Sequence, residues 1–390
     1  MRFSVEAQAL KKAFALVNPV LPRKGFTPMV ENVLLRLDGD TLTIAANDLD
    51  HAARLSMPVT GEENGETTVN GMRLKGIADT APPGAQISLA CAADASVAEV
   101  RCGRSRFRLA ALPVKEFPEA ARVDGLGIEL QAGELERLLS AGVCTSFEET
   151  HYYLNGVFLH RKGETLCATA TDGHKLAHVP MPLPAGGEEM EDGPDSGAGY
   201  ILPNVALRHL AAMVGERGCR LSLSDKAIEV EVALGNELGP LTYRTKLVDG
   251  QFPSYSRVIP DRRNFEASAL VDVARFRAAL TRCAVSLTAV DAPAPNAARR
   301  PREIVALNFS DGLLRFETEG DFGEGASDEI DIEWAGGALR VGFNWHYLDT
   351  IAEAVGGDRM RFFPSKDGGP SRFEAEEDDG RVYIVMPVRI

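Results

Sequence analysis

The chain has 390 residues, 45% of them apolar and 25% charged, with a formal net charge of −14. That length exceeds one ordinary hydrophobic core and suits two or three soluble globular domains. No apolar run is long enough for a membrane span, and an acidic balance is the reverse of the usual nucleic-acid footprint, although a basic inner face on an acidic exterior would still hold DNA loosely.

Taken in chain order, one four-part pattern appears three times, which is the main structural signal. The first part is a strand and an amphipathic helix: Phe3-Ser4-Val5, then apolar residues at 10, 13, 14 and 17. It recurs as Ile128-Glu129-Leu130 with a helix over Leu135–Val143, and as Ala269-Leu270-Val271 with Phe276, Ala279, Leu280 and Cys283. The spacing is that of a helix with one buried face. The second part is a hairpin around a glycine turn, at Gly39, Gly163 and Gly312. These glycines stand 124 and 149 residues apart. The third part is a strand and a second helix: Met72–Ala78, Leu207–Val214 and Tyr347–Val355. Asn70 and Asn344 serve as N-caps, and Gly84, Gly215 and Gly356 as stops. The fourth is a further strand pair, over 86–112, 219–247 and 359–388.

The pattern gives an α+β chain of three similar β-rich domains with two helices each, divided as 1–125, 126–262 and 263–390. Two stretches interrupt it. Residues 185–199, acidic and glycine-rich, read as a mobile solvated loop. Residues 289–302, with Pro293, Pro295, Pro301 and Arg299-Arg300, read as another.

Catalytic signatures are missing: no phosphate-cradling glycine loop, no H-E-x-x-H and no G-x-S-x-G. Cys91, Cys102, Cys144, Cys167, Cys219 and Cys283 lack metal spacing and read as buried free thiols, so no metal or cofactor is expected. The stretch Ala168–Ala177 contains Asp172-Gly173-His174-Lys175. It reads either as acid–base residues in a cleft, making the chain a hydrolase, or as a tight Asp-Gly turn.

Further strings accompany it: Tyr152-Tyr153-Leu154-Asn155-Gly156, Lys246–Tyr255 followed by Arg257-Val258-Ile259-Pro260, and the ending Tyr383–Ile390. With Met1–Val5 and Gly103–Phe107, and in this order, they resemble the bacterial DNA sliding clamp, the beta subunit of the replicative DNA polymerase. The resemblance implies the DNA clamp fold: a head-to-tail arc of three domains that closes with a second copy into a ring around duplex DNA. It implies a non-catalytic processivity factor of the cytoplasm, partnered by the replicative polymerase alpha subunit, a clamp loader and other proteins bearing a clamp-binding motif. A specialised paralogue serving repair or inhibitor resistance fits the same strings.

By position, the resemblance places a pocket for a short apolar-plus-Gln peptide at Leu154, Thr171, Gly173, His174, Lys175, Leu176, Pro253, Arg257, Val258, Asn344, Tyr347, Ile384, Val385, Met386, Pro387, Val388 and Arg389. Lys175 stands where an arginine is usual and Val388 where a methionine is usual. Facing DNA are Arg23, Lys24, Arg73, Lys75, Arg137, Tyr152, Tyr153, Arg208, Arg275, Arg277 and Arg282, with Lys11 and Lys12. These would contact phosphate without reading sequence. His151 replaces an expected arginine, and Pro203-Asn204-Val205 lacks a basic pair. Arg104, Arg106, Phe107 and Leu109 form the edge that joins the second copy.

Overall fold

A computed structural model describes residues 1–22, 24–193, 197–235, 237–287, 303–319 and 324–390. In chain order its strands and α-helices are β1 (Arg2–Glu6), α1 (Ala7–Val17), β2 (Asn32–Asp38), β3 (Thr41–Asn47), β4 (His51–Pro58), β5 (Thr60–Glu63), β6 (Gly65–Asn70), α2 (Gly71–Thr80), β7 (Gln86–Ala90), β8 (Val97–Cys102), β9 (Ser105–Leu112), β10 (Leu126–Leu130), α3 (Glu134–Leu139), β11 (Gly156–Lys162), β12 (Thr165–Thr171), β13 (Lys175–Pro182), β14 (Tyr200–Pro203) and α4 (Asn204–Met213). There follow β15 (Cys219–Leu223), β16 (Ala227–Val232), β17 (Leu241–Lys246), β18 (Ala269–Asp272), α5 (Val273–Ala284), β19 (Ile304–Ser310), β20 (Leu313–Glu319), β21 (Gly325–Asp331), β22 (Glu333–Trp334), β23 (Leu339–Asn344), α6 (Trp345–Val355), β24 (Arg359–Phe363), β25 (Ser371–Ala375) and β26 (Val382–Val385).

By packing, the chain forms two compact units: residues 1–137, 184–190 and 202–249, and residues 138–183, 191–201 and 250–390. The first unit holds a 13-stranded sheet in the order β10-β15-β16-β17-β4-β3-β2-β6-β9-β8-β7-β1-β5. The second is built on a nine-stranded sheet, β14-β11-β12-β13-β26-β25-β24-β18-β22, and a four-stranded one, β21-β20-β19-β23. In each unit a seam joins strands far apart in sequence. β4 pairs antiparallel with β17 in the first, and β13 pairs antiparallel with β26 in the second.

The local elements follow from the sequence. α1 buries Ala7, Leu10, Ala13, Phe14 and Val17, one face of a 3.6-residue period. α5 buries Phe276, Ala279, Leu280 and Cys283 on the same spacing. Full burial of a side chain such as Leu10 or Phe276 contributes about 1.5–3 kcal/mol. Asn70 caps α2 by accepting from the Arg73 amide, and Asn344 caps α6 by accepting from the His346 amide. The hairpin glycines Gly39, Gly163 and Gly312 all hold positive φ, where a side chain would be strained. All six cysteines are free, and all but Cys102 are buried.

Three expectations need correction or limitation. The helix expected over Leu135–Val143 ends at Leu139 and tightens to a 3₁₀ turn over Ser140–Cys144. Serine and glycine support an α-helix poorly, and Val143 emerges on the surface. The stretch 185–199 is not a loose solvated loop in its described part. The Glu129 amide donates to the Ala185 carbonyl, Met190 is 4% exposed, and Asp192 bridges Arg161. One buried methionine outweighs the polar composition around it. Residues 289–302 lie outside the described residues.

Candidate functional site

The β12–β13 turn is built by its own side chains. Asp172 Oδ1 accepts from the amides of His174 and Lys175, both at 2.9 Å. Thr171 Oγ1 accepts from the Gly173 amide at 3.1 Å and donates to the Lys175 carbonyl at 2.8 Å. Gly173 sits at φ +89°, a conformation glycine adopts without steric cost. The Asp172 carboxylate is thus committed to shaping a turn, and His174 is exposed beside the Tyr347 ring with centroids 6.1 Å apart. This geometry supports the turn reading of Asp172 over the acid–base one.

The chain end is stitched to this turn. β26 runs along β13 with Lys175 opposite Val385 and Leu176 opposite Ile384. The Met386 amide then donates to the His174 carbonyl at 2.8 Å. Pro387, lacking an N–H, stops the ladder. The Val388 amide donates to the Gly342 carbonyl at 2.8 Å, and a Cβ on Gly342 would lie 2.3 Å from Ile390 Cγ2. A glycine is needed there for the tail to pass.

Lys175 is the polar centre. Its side chain is 10% exposed, and Nζ lies 2.7 Å from the Val143 carbonyl oxygen and 3.2 Å from Asp172 Oδ2. The ammonium also sits 5.8 Å from the Tyr347 ring centroid, within cation–π range. The Tyr347 hydroxyl is raised above its ordinary pKa, first by burial and then by the negative charges of Asp172, Glu303 and Glu148. Tyr347 stands in the first turn of α6, below the Asn344 cap. Asn344 Nδ2 donates to Glu303 Oε2 at 3.0 Å.

The segment bearing Pro253, Arg257 and Val258 is fixed separately. Phe252 stacks on Phe158 at 4.9 Å, and Tyr255 Oη lies 2.7 Å from His160 Nε2. Those two anchors are buried, whereas Pro253, Arg257 and Val258 face outward. Burial lowers His160 to about 4 and His178 to about 3, so both rings are neutral near pH 7. Around the turn, Leu154, Leu176, Ile384 and Val385 are buried, Met386 and Pro387 are half-buried, and Val388 and Arg389 are exposed. Val143 and Glu303 are participants the sequence reading missed. Val143 was assigned to a buried helix face, and the role of its carbonyl has no sequence signature.

The cations read as facing DNA divide into two groups. Arg277 binds Asp349 at 2.7 Å, Arg282 binds Asp328 at 2.5 Å, Arg275 lies 4.0 Å from Asp331, and Lys75 pairs with Asp79. Lys11 lies 3.8 Å from Asp79, and Lys12 pairs with Glu237 at 2.6 Å. Lys24, Arg73 and Arg208 are exposed and make no ion pair with a described residue. Arg137 is half-buried, and Arg23 is outside the described residues. Tyr152 is 53% exposed and meets Tyr153 edge-on at 5.8 Å. In β9, residues 105–110 pair with β8, but only Ala111 and Leu112 pair with β6. The other edge of Arg106–Leu109 has no strand partner among the described residues.

Comparison with known proteins covers the whole chain. Residues 1–121 match the family model of the DNA polymerase III beta subunit, N-terminal domain, and residues 129–254 that of its central domain. The chain is 31% identical to the beta sliding clamp of Caulobacter vibrioides over 403 residues and 29% identical to that of Pseudomonas aeruginosa over 402, in each case across all of both chains. Among solved structures it resembles a sliding clamp (DNA polymerase III subunit beta) from Bartonella birtlesii bound to griselimycin, with a TM-score of 0.87 and 29% identity. It also resembles the DNA polymerase III subunit beta of Pseudomonas aeruginosa, with a TM-score of 0.86 and 29% identity. Both alignments cover all of each chain.

Proposed function

The chain belongs to the bacterial beta sliding clamp family, and from that premise we propose that it is a DNA polymerase processivity factor working as a homodimeric ring. It makes and breaks no covalent bond. The ring encircles duplex DNA without reading sequence and tethers the replicative polymerase alpha subunit, raising its effective concentration at the primer end. Three domains, 1–125, 126–262 and 263–390, form each arc. A clamp loader opens the ring in the cytoplasm. The observation that carries this reading is the end-to-end likeness, 31% identity across all of both chains. Among the described residues no helix is long and apolar enough to cross a membrane.

Three features of the geometry support the reading of a peptide pocket, a dimer joint and DNA-facing cations. The Thr171–Leu176 turn, Tyr347 and the 384–389 tail form a hydrogen-bonded rim with apolar side chains and few polar groups, which suits a short apolar-plus-Gln peptide. The open edge of β9 carries Arg106 and Arg108, with Arg104 in the turn just before it. β21, which pairs only with β20 among the described residues, carries Asp328, Glu329 and Asp331. A basic edge on one copy meeting an acidic edge on the other gives an isologous pair of joints. Lys24, Arg73 and Arg208, unpaired with carboxylates, are the cations best placed to spend charge on phosphate.

Retention on DNA tests the reading. The protein is loaded by a competent clamp loader onto nicked circular DNA, isolated at moderate salt, and the circle is then cut. A ring stays on the circle and leaves the linear ends. Equal loss from both forms would reject topological binding.

A further inference from the structure

The first unit repeats the backbone pattern of the turn just described. Asp48 Oδ1 accepts from the amides of Asp50 at 3.0 Å and His51 at 2.7 Å, as Asp172 does from His174 and Lys175. Asn47 Oδ1 takes the Leu49 amide at 2.7 Å, as Thr171 takes that of Gly173. The Lys246 amide donates to the Asp50 carbonyl, as that of Met386 does to His174. β17 meets β4 with Thr245 opposite His51, as Val385 meets Lys175. The connectors repeat as well. Phe117-Pro118-Glu119-Ala120-Ala121-Arg122-Val123 matches Phe252-Pro253-Ser254-Tyr255-Ser256-Arg257-Val258 at four positions. Leu49 holds φ +83° where the second turn has glycine, and its side chain is 45% exposed. A leucine in that region costs roughly 1–2 kcal/mol, a kind of strain that gathers at functional sites.

The two seams differ in what lies beneath the connector. In the second, Tyr255 fills the space. In the first, position 120 is alanine, and a cavity of about 100 Å³ remains. Its floor is Ala45 and Ala52, which share one face of the sheet with Arg54; Ala52 corresponds to Leu176, and Phe117 and Pro118 cover it. Asn47 Nδ2 ties the cover down through the Pro118 carbonyl at 2.6 Å. Arg54, Arg122 and Arg244 line the cavity; none is within salt-bridge distance of a described carboxylate, and Arg122 and Arg244 are attracted to Glu229 only at longer range. Opposite them is Glu229, 6% exposed, which accepts from the Val123 amide. Glu119 is already engaged by Arg36 at 3.0 Å. Three guanidiniums therefore face one committed carboxylate over an apolar floor. For scale, a dry engineered cavity of about 150 Å³ accepts benzene.

We propose that this cavity is a second docking site, taking an acidic segment of a partner protein. A carboxylate would meet Arg54, Arg122 and Arg244, and a valine- or leucine-sized side chain would enter the alanine floor. The excess of guanidinium charge selects the anion, and the volume limits the apolar group. The cavity and its charges lie wholly in the first unit and do not depend on how the β13–β26 turn is used.

The test uses the full-length protein labelled with ¹³C at alanine methyls and two probes, N-acetyl-Leu-Asp-amide and N-acetyl-Leu-Lys-amide. The aspartate probe is expected to shift the Ala45 and Ala52 methyls saturably, with the lysine probe at least fivefold weaker. Ala177, in the second seam, is expected to stay fixed. Ala52→Leu is expected to abolish the response. Arg122→Ala, at an exposed side chain, is expected to weaken it about tenfold, or 1.4 kcal/mol, with an unchanged melting temperature. Absence of shifts at the solubility limit, equal response to both probes, movement confined to Ala177, or an unaltered response in both variants would overturn the proposal. If Ala52→Leu fails to fold, Arg122→Ala decides.

Discussion

Replacing Asp172 separates the turn's geometry from its charge. Asp172 holds two amides at 2.9 Å through Oδ1 and the Lys175 ammonium at 3.2 Å through Oδ2, in a side chain only 16% exposed. Hydrogen bonds to a charged acceptor contribute about 1.5–3 kcal/mol each when dry, and part of that is recovered by water at the exposed His174 amide. Asp172→Ala is therefore expected to cost about 3 kcal/mol. It also leaves the Lys175 ammonium with only the Val143 carbonyl and the Tyr347 ring. Asp172→Asn keeps an oxygen for both amides and loses only the charge, so about 1 kcal/mol is expected. The same turn carries the His174 carbonyl that receives Met386, so the chain end should loosen with it. Anisotropy of a labelled apolar-plus-Gln peptide should show at least a tenfold loss for Ala and under threefold for Asn, alongside urea midpoints in the same order. Equal losses for the two variants would refute the capping argument, because charge alone would then account for the effect. An Ala variant within 0.5 kcal/mol of the parent would refute it as well.

Three further outcomes follow from the structure. His160, fully buried, has its pKa lowered to about 4 by burial, below the ordinary 6.5. The unfolded state therefore binds the proton first, and the ring's contribution is intact above pH 6.5 and lost as pH falls toward 4. Its upper limit is about 3 kcal/mol, and His160→Gln should make the urea-midpoint profile less steep across that window, leaving the slope due to His178 and His209, which burial lowers likewise. Gly342→Ala places a Cβ 2.8 Å from the Val388 carbonyl oxygen. It should release the last three residues at a cost of about 1–2 kcal/mol, seen as faster hydrogen exchange at the Val388 amide with little change in the rest of β23. Reversing charge at the open edge with Arg104→Glu and Arg106→Glu should shift sedimentation from dimer to monomer without lowering the melting temperature of the monomer. An unchanged dimer would remove this edge from the joint.

How far the sequence carries depends on the range of the interaction. The caps Asn70 and Asn344, the positive-φ glycines of the hairpins, the buried faces of α1 and α5 and the Asp-Gly turn at 172–173 are all decided within a few residues, by backbone sterics and side-chain period. They were legible without coordinates, as was the likeness of the ordered strings. The helix after β10 was misjudged because its apolar spacing continued past the point where Ser140 and Gly142 stop supporting an α-helix. The stretch near 190 was misjudged because composition averages away a single buried methionine. Tertiary structure alone decided the seams, since pairing His51 with Thr245, or Lys175 with Val385, depends on register between strands about 200 residues apart. It alone gave Lys175 the carbonyl of Val143 and left a cavity over Ala52 where the matching position has leucine. Both depend on which distant groups happen to fill the same volume, and no local pattern of residues specifies that.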